Sequence, residues 1–381
     1  MWKTLIFTAL LTLPLPAQRD SGYDRSVVKQ TRIDLRELGY PPLDVIPPDE
    51  SAIRALSVAP DGTVYGATGG KRSHLFRLNP MHGYVEPLGV IPGVGAVHSS
   101  LVVALNGDVF IGTTPGGHLL RYTPSANHAN KAGVDSPLEV VDLGAPVAGQ
   151  SIYTLAIGQG RVYGLTSPDG YFFSYELSAA KFVEYGKVAE HKIQGEKFET
   201  EKAIGRAIAV GLDGNAYTSG EGGYLFRLSA GTGALEKLAL TLPSVPGREP
   251  FNRVDAWAVG GNGEVIYGGT SDGYLFRFFP KESRIENLGK PLNQYRTRGL
   301  VLALNGKLYG VGGDDDEMAR LFSYDPARGA YELLGMVDVN RRPYYSWQAY
   351  VIDAVALGLD GTIYFGQCER KSKLYLYYPE P

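Results

Sequence analysis

One pattern recurs seven times along the chain and constrains the fold more than any other feature. Each copy contains an apolar stretch, a turn ending in glycine, a β-rich stretch, a second polar turn and an aromatic-rich strand. The copies begin APDGTVYGAT, ALNGDVFIGT, GQGRVYGLT, GLDGNAYTSG, GGNGEVIYGG, ALNGKLYGVG and GLDGTIYFGQ. Because Asn-Gly and Asp-Gly between β-formers are strong hairpin signals, we expect type I′ turns at these places.

The repeat has the period of a β-propeller blade. Its turn glycines are spaced by 43 to 55 residues and lie at Gly62, Gly107, Gly160, Gly214, Gly263, Gly306 and Gly361. Segments such as GYLFRFFP supply a third strand, and segments such as EVVDLG and RIENLG supply a fourth. Four short strands per unit at this period predict an all-β, seven-bladed β-propeller with four-stranded antiparallel blades.

The two ends of the chain suggest how the ring closes. The seventh repeat ends on its third strand, KLYLYYP, whereas residues 31–39, TRIDLRELG, have the pattern of a fourth strand and precede the first repeat. An uncovered third strand would expose an unpaired edge. We therefore expect the N-terminal strand to complete blade seven.

The first 17 residues have the features of a secretory signal peptide. Lys3 supplies the positive charge, a short apolar run follows, and Leu15 and Ala17 suit a cleavage site. The run is short for a bilayer and two prolines interrupt it, so we expect no membrane span. Residues 18–381 are expected to form a single domain that is secreted or periplasmic.

Charge and cysteine content limit the partners. The chain has 37 basic and 40 acidic residues, a formal net charge of −3, so it lacks the basic excess that nucleic-acid binding requires. Cys368 is the sole cysteine, which excludes an intrachain disulfide and a cysteine-based zinc site.

The acidic turn GDDDEM, 313–318, could hold a structural Ca²⁺ but lacks EF-hand spacing and is more typical of a solvated turn. We expect a monomer.

A binding site is expected on the face where the first strand of each blade begins, because that strand lines the central channel. Eight residues before the turn glycines stand Arg54, Ser99, Ile152, Arg206, Asp255, Arg298 and Asp353. The third strands begin at or near His74, His118, Tyr171, Tyr224, Tyr274 and Lys373. This cationic, aromatic funnel suits an anionic ligand with stacking faces, such as an acidic sugar.

His98 and His118 of blade two are the candidates for proton transfer, with Tyr171 of blade three beside them. Arg206 could hold a carboxylate through two parallel hydrogen bonds. Two alternatives stay open: the histidines could merely bond to neighbouring loops, and the arginines could bridge to aspartates inside the channel. The substrate-binding candidates are Arg54, Tyr153, Tyr224, Trp257, Arg298, Tyr345 and Trp347.

In architecture and in the set His98, His118, Tyr171 and Arg206, the chain resembles the seven-bladed propeller polysaccharide lyases, namely the ulvan lyases and the related lyases that cut rhamnosyl-glucuronate linkages. The resemblance implies β-elimination on a uronate-containing polysaccharide, with no cofactor and no catalytic metal. Arg206, helped by His118, would neutralise the uronate carboxylate. His98 and Tyr171 would share the base and acid roles, in an order that stays open.

Two features depart from those families, and two other functions compete. A charged insertion, 189–202, precedes Arg206 and is either a lid-like loop or an ordinary exposed one, and the cysteines for the structural zinc of some members are missing. A non-catalytic propeller could bind glycan or protein through the same funnel. A glycoside hydrolase would need paired carboxylates, and Asp255 and Asp353 belong to repeats two blades apart.

Overall fold

The computed structural model describes most of the repeat region. The described residues are 36–37, 46–80, 83–93, 97–124, 134–189, 203–261, 263–314, 317–341 and 345–379. The predicted signal peptide, most of the predicted strand 31–39 and residues 190–202 of the predicted insertion lie outside them.

Seven four-stranded antiparallel sheets form the blades of a β-propeller, as the repeat predicts. In chain order the strands are β1 (Arg36–Glu37); β2 (Ala52–Val58), β3 (Val64–Gly69), β4 (His74–Asn79) and β5 (Tyr84–Val90) of blade one; β6 (Leu101–Val103), β7 (Val109–Gly112), β8 (Leu119–Tyr122) and β9 (Val141–Asp142) of blade two; β10 (Ser151–Gly158), β11 (Arg161–Ser167), β12 (Tyr171–Glu176) and β13 (Lys181–Lys187) of blade three; β14 (Ala209–Val210), β15 (Ala216–Ser219), β16 (Tyr224–Leu228) and β17 (Leu235–Thr241) of blade four; β18 (Val254–Val259), β19 (Ile266–Thr270), β20 (Leu275–Phe279) and β21 (Arg284–Gly289) of blade five; β22 (Thr297–Leu302), β23 (Leu308–Asp314), β24 (Glu317–Asp325) and β25 (Ala330–Met336) of blade six; the hairpin β26 (Asp338–Arg341) and β27 (Tyr345–Gln348); and β28 (Ile352–Leu357), β29 (Ile363–Gln367) and β30 (Leu374–Tyr377) of blade seven. Short 3₁₀ helices lie at Pro48–Glu50, Glu221–Gly223 and Glu249–Phe251.

The ring closes as the sequence predicts. Strand β1 pairs antiparallel with β30, with Arg36 opposite Leu376 and Glu37 opposite Tyr375, and becomes the outer strand of blade seven. Blades seven and one also pack directly, because a Cβ added to Gly366 would lie 2.4 Å from Cγ2 of Ile53. The N-terminal strand therefore covers the edge that β30 would otherwise expose.

The turns between the first two strands confirm the glycine positions but correct the turn type. All seven turn glycines have a positive φ, between 68° and 88°. A type I′ turn needs positive φ at both central residues. Of the turns described completely, only that of blade three meets this, with Gln159 at 51° and Gly160 at 72°. The expectation of type I′ turns is wrong for the other completely described turns, which are one residue longer.

The core lies between neighbouring sheets and inside each blade. In blade one Phe76 is fully buried, and a Cβ on Gly66 would lie 2.1 Å from its ring, so only glycine fits beneath that phenylalanine. The same strand-two glycine and strand-three phenylalanine pair recurs in blades three, five and six. Removing such a ring costs about 3–5 kcal/mol in other protein cores. This packing makes the blades rigid supports for the channel. Among the described residues, no helix is long and apolar enough to cross a membrane.

Candidate functional site

The beginnings of the first strands meet at the mouth of the central channel. A cavity of about 180 Å³ lies there, and all seven blades contribute to its wall. One polar residue comes from each blade: Arg54, Ser99, Thr154, Arg206, Asp255, Arg298 and Asp353. The sequence pattern therefore predicts the polar channel residue correctly in six of the seven blades.

Backbone bulges lie at four of these seven side chains. The pairing of first and second strands shifts register between Ile53 and Ala55, so Arg54 stands at an unpaired position in its strand. The same shift occurs at Tyr153, Asp255, Arg298 and Asp353. A β-bulge redirects a side chain out of the regular alternation. Tyr153 is the blade-three counterpart of Arg54. The spacing pointed to Ile152 instead because the blade-three turn is one residue shorter.

Asp353 is the electrostatic centre of the channel mouth. Its carboxylate accepts a hydrogen bond of 2.9 Å from Nη1 of Arg54 and one of 2.5 Å from Nη1 of Arg298, and it lies 3.5 Å from Nη2 of Arg206. Burial alone would raise the pKa of Asp353, but the three guanidinium groups outweigh it and hold the pKa far below its usual value. Asp353 is therefore ionised, and three cations share one anion.

A second carboxylate, Asp255, joins this centre to blades five and six. It accepts hydrogen bonds from Nε of Arg296 at 2.8 Å and Nε of Arg253 at 3.2 Å. Burial opposes its ionisation, but these arginines and Arg206 lower its pKa to about 2. Neither Asp255 nor Asp353 can supply a proton at neutral pH. The carboxylate pair that a glycoside hydrolase needs, one member of it protonated, is therefore not formed by these two residues.

His98 lies against this cationic cluster. Its ring centroid is 5.3 Å from that of Tyr153. Burial, followed by the charges of Arg54 and Arg206, lowers its pKa to about 4. The imidazole is therefore neutral at neutral pH and able to accept a proton. Tyr153 in turn lies near enough to Arg206 for the two side chains to interact electrostatically.

Two other predicted residues of the channel also have structural partners. Trp257 lines the channel, donates a hydrogen bond from Nε1 to the Ala207 carbonyl at 3.2 Å and packs edge-on to Phe276. Arg298 is only 5% exposed and also donates to the Gly313 carbonyl at 2.7 Å and to Asp314 at 2.6 Å. The Trp257 hydrogen bond joins blades five and four, whereas the other contacts fix each side chain within its own blade.

Three of the predicted residues at the third-strand starts, His118, Tyr171 and Tyr224, contact the outer strands of their own blades. Nδ1 of His118 lies 2.8 Å from the Asp142 carboxylate in β9. The ammonium of Lys187 lies 4.6 Å from the ring centroid of Tyr171, and that of Lys237 lies 4.3 Å from the ring centroid of Tyr224. These three residues thus contact the rim, whereas Arg54 and Arg206 pair with Asp353 in the channel and His98 contacts Tyr153.

The hairpin β26–β27 carries the remaining two predicted residues. Trp347 donates a hydrogen bond from Nε1 to Gln367 at 3.0 Å, and the ammonium of Lys373 lies 4.9 Å from the Trp347 ring centroid. The side chain of Tyr345 lies outside the described part of the chain.

In its described residues, the proposed Ca²⁺ turn makes an ionic contact with the channel. Asp314 ends β23 and binds Arg298, while residues 315–316 lie outside the described residues. The described part of the chain contains no group of three or more His, Cys, Asp or Glu side chains suited to hold a metal ion.

Sequence reasoning missed a second cavity beside the channel, between blades five and six. It measures about 380 Å³ and is lined by Arg248, Phe251, Arg253, Ser271, Tyr295, Arg296 and Asp314. The available signal was the pair of motifs Arg-Val-Asp at 253–255 and Arg-Thr-Arg at 296–298, in which an arginine precedes the channel residue by two positions.

Comparison with known proteins supports the fold. No family model matches the sequence, and no curated protein sequence matches it. Among solved structures, virginiamycin B lyase from Staphylococcus aureus has a TM-score of 0.63 at 11% identity, covering 91% of this chain and 99% of that one. A catalytically inactive histidine-to-alanine variant of that enzyme with quinupristin has a TM-score of 0.63 at 12% identity, covering 91% of this chain and 100% of that one. The extracellular domain of a hybrid two-component system from B. thetaiotaomicron has a TM-score of 0.59 at 17% identity, covering 90% of this chain and 39% of that one. At such identities the likeness extends to the propeller fold and no further.

Proposed function

We propose that this protein is a lyase that cleaves an acidic glycan by β-elimination at the channel mouth. The observation that carries the proposal is a neutral, partly buried imidazole, His98, whose ring contacts the Tyr153 phenol and whose pKa is lowered by burial and by the nearby charges of Arg54 and Arg206. Such a site combines a proton acceptor with fixed positive charge, as proton abstraction next to a carboxylate requires.

Arg54 and Arg206 would bind the carboxylate of the uronate. The Arg54 side chain is 35% exposed and that of Arg206 is 13% exposed, so Arg54 presents the more accessible guanidinium. Positive charge on the carboxylate stabilises the negative charge that develops when the neighbouring C5 proton leaves.

The residues at the channel mouth suit the two proton transfers. His98 would accept the C5 proton, the C4–C5 double bond would form as the C4–O4 bond breaks, and the departing O4 would take a proton from a phenol. Tyr153 is the phenol in contact with His98, so it replaces Tyr171 as the candidate acid. Arg54 and Arg206 contribute to the low His98 pKa of about 4. A bound carboxylate offsets the charge of the two arginines and raises that pKa, which strengthens the base when substrate is present.

Two further observations support parts of the proposal. A structural neighbour is virginiamycin B lyase, and its histidine-to-alanine variant is catalytically inactive, which favours a lyase role for a histidine on this fold. The features of residues 1–17 favour secretion of residues 18–381 as one domain. The proposed partner is an acidic polysaccharide, and the proposed form is a monomer that needs no cofactor.

The experiment is an absorbance assay for the 4,5-unsaturated product on ulvan, gum arabic-type and glycosaminoglycan substrates. We expect absorbance to rise with at least one substrate. His98→Ala should lower kcat by about 10²–10⁴-fold, the usual contribution of a general base. His118→Ala is the matched control, because its imidazole binds the rim, and it should keep most of the activity. Equal loss in both variants, or full activity in His98→Ala, contradicts the assignment.

A non-catalytic glycan-binding propeller is the second candidate. It is favoured by the placement of His118 at the rim, which leaves His98 as the one predicted histidine near the channel arginines Arg54 and Arg206. This alternative predicts binding of an acidic glycan with no unsaturated product from any substrate, and equal affinity in wild type and His98→Ala.

A further inference from the structure

The cavity between blades five and six, called here the arginine pocket, has the chemistry of an anion site. Arg248, Arg253 and Arg296 line it, together with Tyr295, Phe251 and Ser271. Its volume of about 380 Å³ is twice that of the channel cavity and falls in the usual range for small-molecule sites.

Two of the three arginines are held in place by a buried carboxylate. Arg253 and Arg296 both donate through Nε to Asp255, whose side chain is 1% exposed. Nη2 of Arg296 is buried and has no hydrogen-bond acceptor among the described residues. A buried donor without an acceptor lowers the stability of a protein by about 1–3 kcal/mol. A small shift of the Arg296 side chain would expose Nη2 to the pocket, where an anionic ligand could accept its hydrogen bond.

The backbone of Arg296 points to the same role. Its φ is +67°, in the left-handed region that costs a non-glycine residue roughly 1–3 kcal/mol and is most often kept at functional sites. A hydrogen bond from its N–H to the Ser271 carbonyl, 3.1 Å long, holds this conformation. The strain and the unsatisfied donor therefore belong to one residue in the pocket wall.

An aromatic platform flanks the arginines. Tyr295 is 53% exposed, with the Lys290 ammonium 5.1 Å and the Arg248 guanidinium 5.6 Å from its ring centroid. Arg248 is oriented by a 3.0 Å hydrogen bond to the fully buried Asp272. An exposed ring beside oriented guanidinium groups suits a sugar that carries a negative group.

Among the described residues, the pocket wall contains one carboxylate, and it does not cancel this charge. Asp314 accepts a 2.6 Å hydrogen bond from Arg298, a channel residue, and is therefore already paired. Asp255 and Arg298 belong to the channel mouth and contact the pocket residues, so the two cavities are neighbours that share an electrostatic centre.

We propose that the arginine pocket binds a second acidic sugar of the same glycan, through its carboxylate or sulfate group, while the channel mouth binds the sugar next to the cleaved bond. The glycan identity rests on the proposed function. The consequence is a substrate with acidic groups on at least two sugars, anchored across blades four to six.

The test measures binding in a catalytically silent background. Acidic oligosaccharides are titrated calorimetrically into His98→Ala protein and into His98→Ala combined with Arg248→Ala or Tyr295→Ala. Both pocket side chains are about half exposed, so the fold should survive, and far-ultraviolet circular dichroism checks this. Each second change should weaken binding about tenfold or more. Arg284→Ala, a half-exposed arginine on the outer strand of blade five, is the matched control and should change affinity less than twofold.

Two small probes identify the anionic group. Glucuronate and sodium sulfate are tested separately for stabilisation against thermal unfolding, in wild type and in Arg248→Ala. Stabilisation by glucuronate alone assigns a carboxylate, and stabilisation by sulfate alone assigns a sulfate ester, provided that Arg248→Ala abolishes it. Equal oligosaccharide affinity in both pocket variants and the control overturns the proposal.

This outcome is separable from failure of the proposed function. If no substrate gives unsaturated product but the pocket variants weaken glycan binding, the pocket assignment stands and the lyase assignment falls. If the protein is active but the pocket variants bind normally, only the pocket assignment falls.

Discussion

The channel mouth and the outer rim lie on the same face of the propeller, yet the same residue types have different burial and different electrostatic surroundings in the two regions. At the mouth, charges from several blades meet in a buried cluster, and the pKa values of His98, Asp255 and Asp353 are strongly displaced. At the rim, His118 pairs with Asp142 of its own blade, and both side chains are about half exposed. Depth, more than residue type, decides which groups carry chemistry, because burial magnifies every neighbouring charge.

The most sensitive test of this difference between mouth and rim is to remove one carboxylate from each region. Asp353→Asn leaves three guanidinium groups without their shared anion, and the loss of a buried partner typically costs about 3–5 kcal/mol of unfolding free energy. Asp142→Asn removes an exposed pair and should cost at most about 1 kcal/mol. Urea unfolding measures both. Comparable losses in the two variants would mean that the mouth is no more tightly coupled than the rim.

The pH dependence of stability is the next test. Burial and two arginines lower the pKa of His98 from 6.5 to about 4 in the folded state, so the unfolded chain binds a proton first as pH falls. Stability contributed by neutral His98 is therefore lost between pH 6.5 and 4, by up to about 3 kcal/mol, and the loss stops below pH 4.

His98→Gln should flatten that part of the profile, whereas His118→Gln should leave this contribution in place. Asp353 and Asp255, whose folded pKa values are depressed, lose their stabilising effect only below the unfolded value of 3.8, so the two pH windows are distinct. Urea unfolding from pH 7 to 4.5 measures the effect. A wild-type profile no steeper than that of His98→Gln would contradict the assigned environment.

The smallest expected effect distinguishes Tyr153 from Tyr171 as the general acid. Tyr153→Phe removes the hydroxyl of the ring that contacts His98 and should lower kcat about 10- to 100-fold if Tyr153 donates the proton to O4. Tyr171→Phe keeps the ring that contacts Lys187 and should change kcat less than about threefold. Steady-state kinetics on the best substrate compares them. A greater loss in Tyr171→Phe would move the acid to the rim and restore the assignment made from sequence.

Much of the fold was predictable and part of the site was not. Blade number, turn glycines and closure by the N-terminal strand follow from the repeat, since each depends on local pattern and period. The positions of Arg54, Arg206 and His98 near the channel followed from counting back from the turns. The blade-three position shifted by one residue because its turn is shorter, which the GQGR motif could have indicated.

The sequence by itself determined that seven copies of a four-stranded unit surround a channel, because alternation, turn chemistry and period are encoded locally. Only the tertiary structure decided which side chains meet there. The bulges at Arg54, Arg298 and Asp353, which line the channel, and the ion pairs joining blades one, four and six through Asp353, arise from the geometry of the closed ring. Residues far apart in sequence become neighbours only when the last blade meets the first, and no repeat contains that information alone.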